Sequence, residues 1–240
     1  MRTTTTLWTT VACLVVVSAA QAGIIDLPVM YGQGPYDPNV SNVATKSNCA
    51  FSQIVYADDF ISVGTQPIAA VRWWGAYGHA DGHANQQVDA HISFHYAMGD
   101  TPFSYPHPIE GPPIVLYDVV ATATDTGDKY LGIFPIYEYE AYLPVPFDHA
   151  AEAPQSPLAG ELFIDIGIPD PDKAWWWIPM ATTDPILDWS ASSSPGHEGP
   201  WVGGEQYNLP FELMTPEPAT LALMGLGAVT LVLSRRRHIV

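Results

Sequence analysis

Apolar side chains recur at every second position through most of this chain, and Pro or Gly breaks the pattern roughly every ten to fifteen residues. A period of two puts successive side chains on opposite faces of an extended backbone, so such segments bury one face and leave the other polar. In Val88-Asp89-Ala90-His91-Ile92-Ser93-Phe94-His95-Tyr96 the even positions are apolar and the odd ones polar. Between residues 23 and 214 no amphipathic helical stretch of useful length is evident. Strands are predicted at 51–63, 68–77, 87–98, 114–124, 133–143, 161–168, 174–180, 186–190 and 207–213. The expected class is all-β: a two-sheet antiparallel β-sandwich of jelly-roll type, with a closed barrel as the alternative. The proline-rich stretches 102–113 and 144–157 read as loops and edges, because Pro lacks the ladder N–H. Residues 51–214 would form this domain, preceded by an N-terminal arm at 23–50.

Charge excludes one large class of partners. Every acidic residue but Glu217 lies between positions 23 and 215, where the basic residues are only Lys46, Arg72, Lys129 and Lys173. The whole chain has a formal net charge of -17, which repels a phosphate backbone and argues against nucleic-acid binding. Disorder is argued against by the 48% of hydrophobic residues, ample apolar surface for a core. Cys13 and Cys49 are the two cysteines. With Cys13 in the leader described next, Cys49 has no partner for an internal disulfide.

The two ends read as targeting segments. Arg2, the apolar run Leu7–Ala19 and the small residues of Ala20-Gln21-Ala22 form a signal peptide over 1–22, to be cut by signal peptidase before Gly23. At the other end Thr215-Pro216-Glu217-Pro218 precedes an apolar stretch, 219–234, and then Arg235, Arg236 and Arg237. At about 1.5 Å per residue that stretch makes a short transmembrane helix, roughly 24 Å long. The three arginines would stay cytoplasmic, leaving the body outside.

These residues, 215–240, resemble the PEP-CTERM sorting signal: a Pro-Glu-Pro motif, a short Gly-containing hydrophobic helix and an Arg cluster. The resemblance implies that an exosortase, a membrane cysteine transpeptidase, recognises Pro216, Glu217 and Pro218 and removes the tail. It also implies a Gram-negative-type bacterium that makes exopolysaccharide or biofilm matrix. Tyr56-Ala57-Asp58-Asp59-Phe60, Val71-Arg72-Trp73-Trp74-Gly75 and Tyr137-Glu138-Tyr139-Glu140 look like the sandwich domains that often precede such tails, a resemblance that carries no assigned activity.

Three constellations in the body could carry chemistry. Trp73, Trp74, Trp175, Trp176, Trp177 and Trp201 are candidate glycan-stacking rings, since adjacent residues of a strand split between faces and some rings would then face outward. The competing reading places all of them in the core. His79, Asp81 and His83 lie on one side of an extended chain and are candidate metal ligands, although the stretch also reads as a solvated loop. Calcium, or another divalent ion, has further candidate ligands at Asp125-Thr126-Gly127-Asp128 and between Asp165 and Asp172, though no cofactor is required. Glu138 and Glu140 share a strand face and Asp58-Asp59 is a second pair, the raw material of a glycosidase. No Gly-x-Ser-x-Gly elbow and no phosphate-binding Gly-rich loop is present. The function expected is therefore an exported, non-enzymatic structural or adhesive domain of the envelope or matrix that contacts exopolysaccharide. The alternative is a secreted glycan-active hydrolase using a carboxylate pair.

Overall fold

The computed structural model describes residues 27–32, 45–46, 54–77, 86–99, 106–158, 160–169, 175–178, 190–193, 196–205 and 209–216. Among the described residues thirteen strands form in chain order: β1 (Val29–Gly32), β2 (Thr45–Lys46), β3 (Val55–Ile61), β4 (Ile68–Tyr77), β5 (Gln86–Met98), β6 (His107–Pro108), β7 (Val115–Tyr130), β8 (Phe134–Phe147), β9 (Glu161–Gly167), β10 (Trp175–Trp177), β11 (Ser190–Ser193), β12 (Trp201–Glu205) and β13 (Phe211–Met214). A short helix, α1 (His149–Glu152), follows β8. Asp148 caps it by accepting from the Ala151 N–H, supplying a partner for a donor the helix cannot satisfy.

All pairings are antiparallel, and the main path runs β1-β13-β4-β8-β7-β5-β9-β3-β11-β12. The all-β expectation holds, but hydrogen bonding follows one continuous curled sheet and does not divide it into the two sheets expected. The curl brings the inner positions of the path together in one core: Phe60 of β3, Trp73 of β4, Ile92 and Phe94 of β5, Tyr139 of β8, Ile164 of β9, and Phe211 of β13. Burying each such side chain contributes about 1.5–3 kcal/mol. The period of two that marks the strands in the sequence thus becomes one shared interior.

Aromatic rings fill much of that interior. Trp73 stacks on Tyr139 at 5.5 Å, Phe94 on Phe147 at 4.2 Å, and Trp175 meets Tyr139 edge-on at 6.0 Å. Ring pairs of this kind add about 0.5–1.5 kcal/mol beyond their buried area. Ala90, Ala121, Ala123 and Ala141 occupy inner positions of β5, β7 and β8, leaving volume for these rings. Gly75 does the same at closer range. On β4 it faces Trp177 of β10 in register, and a Cβ there would stand 2.5 Å from the ring of Trp175.

Predicted and observed bounds agree best at 68–77, where the strand runs Ile68–Tyr77. The strand predicted at 114–124 extends to Tyr130, and the one predicted at 133–143 extends to Phe147. The signal segment 1–22, most of the 23–50 arm and the apolar stretch 219–234 lie outside the described residues, as do Cys49, His79, Asp81 and His83. Among the described residues no helix is long and apolar enough to cross a membrane.

Replacing Gly75 with Ala should destabilise the fold by about 1–3 kcal/mol, because rigid backbone and a packed indole leave the new methyl no room. A lower denaturation midpoint with an unchanged slope is the expected reading. An unchanged midpoint would show that the Trp175 ring is not held against this strand.

Candidate functional site

The odd positions of β5 were expected to form a polar, solvated face. The structure covers part of that face. Ser93 and His95 are buried, together with Asp165 of β9, which is fully inaccessible. The cover is the end of the sheet itself, which folds back so that Trp201 of β12 packs with Val55 and Ala57 of β3, Ala97 of β5 and Phe163 of β9. Trp201 also meets the His95 ring edge-on at 5.2 Å. A 3-10 turn at Gly196–Glu198 leads into β12 and places His197 beside Asp165.

Asp165 is the hub of this layer. His197 Nδ1 lies 2.6 Å from its Oδ1, His95 Nε2 lies 2.6 Å from its Oδ2, and the Ser93 hydroxyl donates to the same Oδ2. Ser93 Oγ is in turn 2.9 Å from His95 Nε2. The arrangement holds a Ser, a His and an Asp, but His95 uses one nitrogen for both partners. A hydrolytic triad needs the two ring nitrogens on opposite partners, so this is a structural knot. Burial alone would raise the Asp165 pKa. The nearby His197 charge and the hydrogen bonds from His197 and His95 outweigh it and hold the carboxyl down at about 2.

His197 also contacts His91, the two rings meeting edge-on at 5.7 Å, and His91 Nδ1 lies 2.5 Å from Asp118 Oδ1 on β7. The chain Asp118, His91, His197, Asp165, His95 therefore runs from the exposed face of β7 into the covered layer. Among the described residues no group of three or more His, Cys, Asp or Glu side chains is placed to hold a metal ion. The Asp125–Asp128 segment, a calcium candidate in sequence, forms an irregularity in β7. There Asp125 Oδ1 accepts from the Gly127 N–H at 2.8 Å and Thr126 Oγ1 accepts from the Asp128 N–H at 3.2 Å. Asp165, at the start of the other calcium candidate, is committed to its histidines.

The carboxylate pair Glu138 and Glu140 of β8 does share the outer face, beside Arg72 of β4. Arg72 donates to Glu140 Oε1 from Nε at 2.9 Å and from Nη2 at 2.8 Å, and to Glu212 Oε2 of β13 at 2.8 Å, while Glu138 Oε1 stands 3.6 Å away. Burial raises the Glu138 pKa against the opposing pull of Arg72. Three carboxylates thus share one guanidinium across three neighbouring strands. Asp58, from the second pair, is fully buried and accepts from the Asp59 and Leu209 N–H groups at 3.1 and 2.7 Å, which anchors the chain entering β13.

The tryptophans are not the exposed set that glycan stacking requires. Trp73, Trp74, Trp175, Trp177 and Trp201 are buried, and only Trp176 is half-buried, against Phe134, Tyr130 and the Trp74 group. Adjacent rings do split between faces as the strand geometry demands. However, a second apolar layer covers Trp74 and Trp176, while β12 lies over its own indole Trp201. The sorting residues fall at the edge of the description: Pro216 stands two residues after the end of β13, whereas Glu217, Pro218, Arg235, Arg236 and Arg237 lie outside the described residues.

A family model described as Domain of unknown function (DUF7901) matches residues 29–223, and the PEP-CTERM protein-sorting motif matches residues 215–237. Neither the curated proteins nor the solved structures compared with the chain match it.

Because Asp165 has a depressed pKa when folded, its contribution to stability is present above the unfolded value of about 3.9 and is lost as pH falls toward about 2. Asp165→Asn should therefore lower stability at neutral pH by about 3–5 kcal/mol, since it leaves buried donors without their anion. It should also flatten the loss of stability between those two pH values. Chemical denaturation of wild type and variant across that range checks both, and parallel pH curves would refute the assignment.

Proposed function

We propose, for a chain that belongs to the DUF7901 family of domains of unknown function and carries a PEP-CTERM sorting motif, a non-enzymatic structural or adhesive role in the envelope or extracellular matrix. The motif makes it an exported, envelope-associated protein with an exosortase as its processing partner. The single observation that carries the reading is the position of that motif, directly after the last strand of the sheet.

The pairing of β1 with β13 supports the role. Val29 faces Met214 in register, and the Thr215 N–H donates to the Pro28 carbonyl at 3.0 Å. The segment entering the domain and the segment carrying the sorting motif are thereby clasped together at one edge. Pull on the tail is met by a ladder of backbone hydrogen bonds before it reaches the core. A body tethered this way presents its remaining surface outward, including the exposed faces of β7 and β8 with Leu116, Val120 and Tyr142.

The polysaccharide contact is the finer part of the proposal. The acidic body repels anionic chains at low salt, so a neutral or cationic glycan is the better match. Among the described residues the other indoles are buried, and Trp176 and the exposed ring of Tyr142 are aromatic groups that a sugar face could reach. The role needs no cofactor.

Two measurements test this. In a host that has an exosortase, Glu217→Ala should leave the chain at precursor size. An unchanged mature size would remove the motif from processing. Tryptophan fluorescence of the full chain, titrated with the host exopolysaccharide with and without calcium, should shift saturably and lose that shift in Trp176→Ala and Tyr142→Ala. No shift, together with no retention on insoluble glycan, would sink the glycan contact. Shortened oligosaccharide would instead assign the chain to the hydrolases, with Glu138 and Glu140 as the pair to mutate next.

A further inference from the structure

We propose that Ser62 is a nucleophilic serine, activated by His149, that accepts the acyl group of an activated ester once and retains it. Ser62 lies just after β3 and His149 opens α1, 87 residues further along the chain. His149 is fully buried. Its Nε2 lies 2.8 Å from the carbonyl oxygen of Gln66, a group that can only accept, so Nε2 carries the proton. The lone pair is therefore on Nδ1, and the Ser62 hydroxyl, 2.6 Å away, donates to it. Nucleophile, base and the group that orients the base are all in place, as nucleophilic catalysis requires.

The surroundings favour an apolar acyl group. Ser62 is itself half-buried and is fixed by a second contact, its N–H donating to the Gly160 carbonyl at 2.8 Å. Its neighbours Ile61 and Val63 are 57% and 53% exposed, an apolar surface on both sides of the hydroxyl. Gly64, with φ of +80°, turns the chain away, and nothing lies within 4 Å of where its Cβ would stand. A short acyl chain could lie along this open rim.

In the reaction the Ser62 Oγ bonds to the ester carbonyl carbon as its proton passes to His149 Nδ1. The carbon–oxygen bond to the leaving group then breaks, and the stabilised alkoxide of the activated ester departs as an anion, leaving the serine's proton on Nδ1. An acyl-serine and a protonated His149 remain, with no change of oxidation state. Hydrolysis would need a free lone pair on Nδ1 to activate water, but the transferred proton occupies it and the imidazole has no accessible surface of its own. The ester therefore persists, so Ser62 is a site of stoichiometric modification without turnover. This does not depend on the polysaccharide reading.

Incubating the full chain with p-nitrophenyl butyrate should release one equivalent of p-nitrophenolate and add one butyryl mass, mapped to Ser62 by peptide mass spectrometry. Ser62→Ala should abolish both. His149→Gln should slow the burst about 100-fold, the scale of a lost general base. Ser62 is half-buried and belongs to none of the apolar clusters of the core, so its variant stays informative even where the His149 variant fails to fold. An unchanged burst in Ser62→Ala, or label spread over lysines, would overturn the proposal. Continued Ser62-dependent turnover would overturn its stoichiometric part.

Discussion

A single antiparallel sheet that curls on itself must fill its own concave side, and the rest of this structure follows from how that is done. Residues that alternate along each strand supply the filling, so the interior is decided strand by strand rather than by a separate layer of helices. Ala90, Ala121, Ala123 and Ala141 keep part of the wall thin while Trp73, Trp175, Trp177, Tyr137 and Tyr139 thicken the other part. Gly75 is the limiting case: the absence of a Cβ lets the Trp175 ring lie against the β4 backbone. Close packing of this kind tolerates neither a void nor an added methyl.

Curling one sheet leaves an outer face, and over β3, β9 and β5 that face is closed by the sheet's own far end. Hydrophobic contact through Trp201 provides attraction but little direction, whereas the buried Asp165 fixes where the cover sits. Its two oxygens accept from side chains on β5 and on the turn before β12, so both elements must be in register for either to be satisfied. A slip of β9 by one residue would turn Asp165 into the apolar interior. An unpaired carboxylate there would cost several kcal/mol, so the wrong register is penalised as well as the right one favoured.

Much of the sheet was legible in the sequence because the alternation is carried by the residues themselves. β5 shows that alternation most clearly, and the strands predicted at 68–77 and 161–168 stand at Ile68–Tyr77 and Glu161–Gly167. Extension of β7 to Tyr130 was hidden by Asp125-Thr126-Gly127-Asp128, which reads as a turn but is absorbed as an irregularity within the strand. Short strands such as β6, a His-Pro pair, have no period to read. The site was less legible, for a physical reason. Whether Ser93 and His95 face water depends on a cover more than a hundred residues downstream, and their own pattern carries no trace of it. The same holds for the tryptophans: strand geometry correctly splits Trp175, Trp176 and Trp177 between faces, but only tertiary packing says that Trp175 and Trp177 are buried and Trp176 half-covered. His95 stood in an alternating polar row, and His197 stood alone in a Gly- and Pro-rich segment. Only the fold joins them through Asp165.

The order of strands also bears on life outside the cytoplasm. The longest strands, β7 with 16 residues and β8 with 14, sit in the middle of the path, where both of their edges are paired. The path ends in β1 with 4 residues and β12 with 5. Long unpaired edges template pairing with other chains, and short ones offer too few hydrogen bonds to do so. Copies of a protein sorted to one envelope meet at high local concentration, where edge pairing would compete with display. Excess negative charge on the body adds a mutual repulsion between copies that salt weakens. Short ends and a shared charge therefore act in the same direction, keeping each domain's hydrogen bonds within itself while its middle strands turn their outer face to the surroundings.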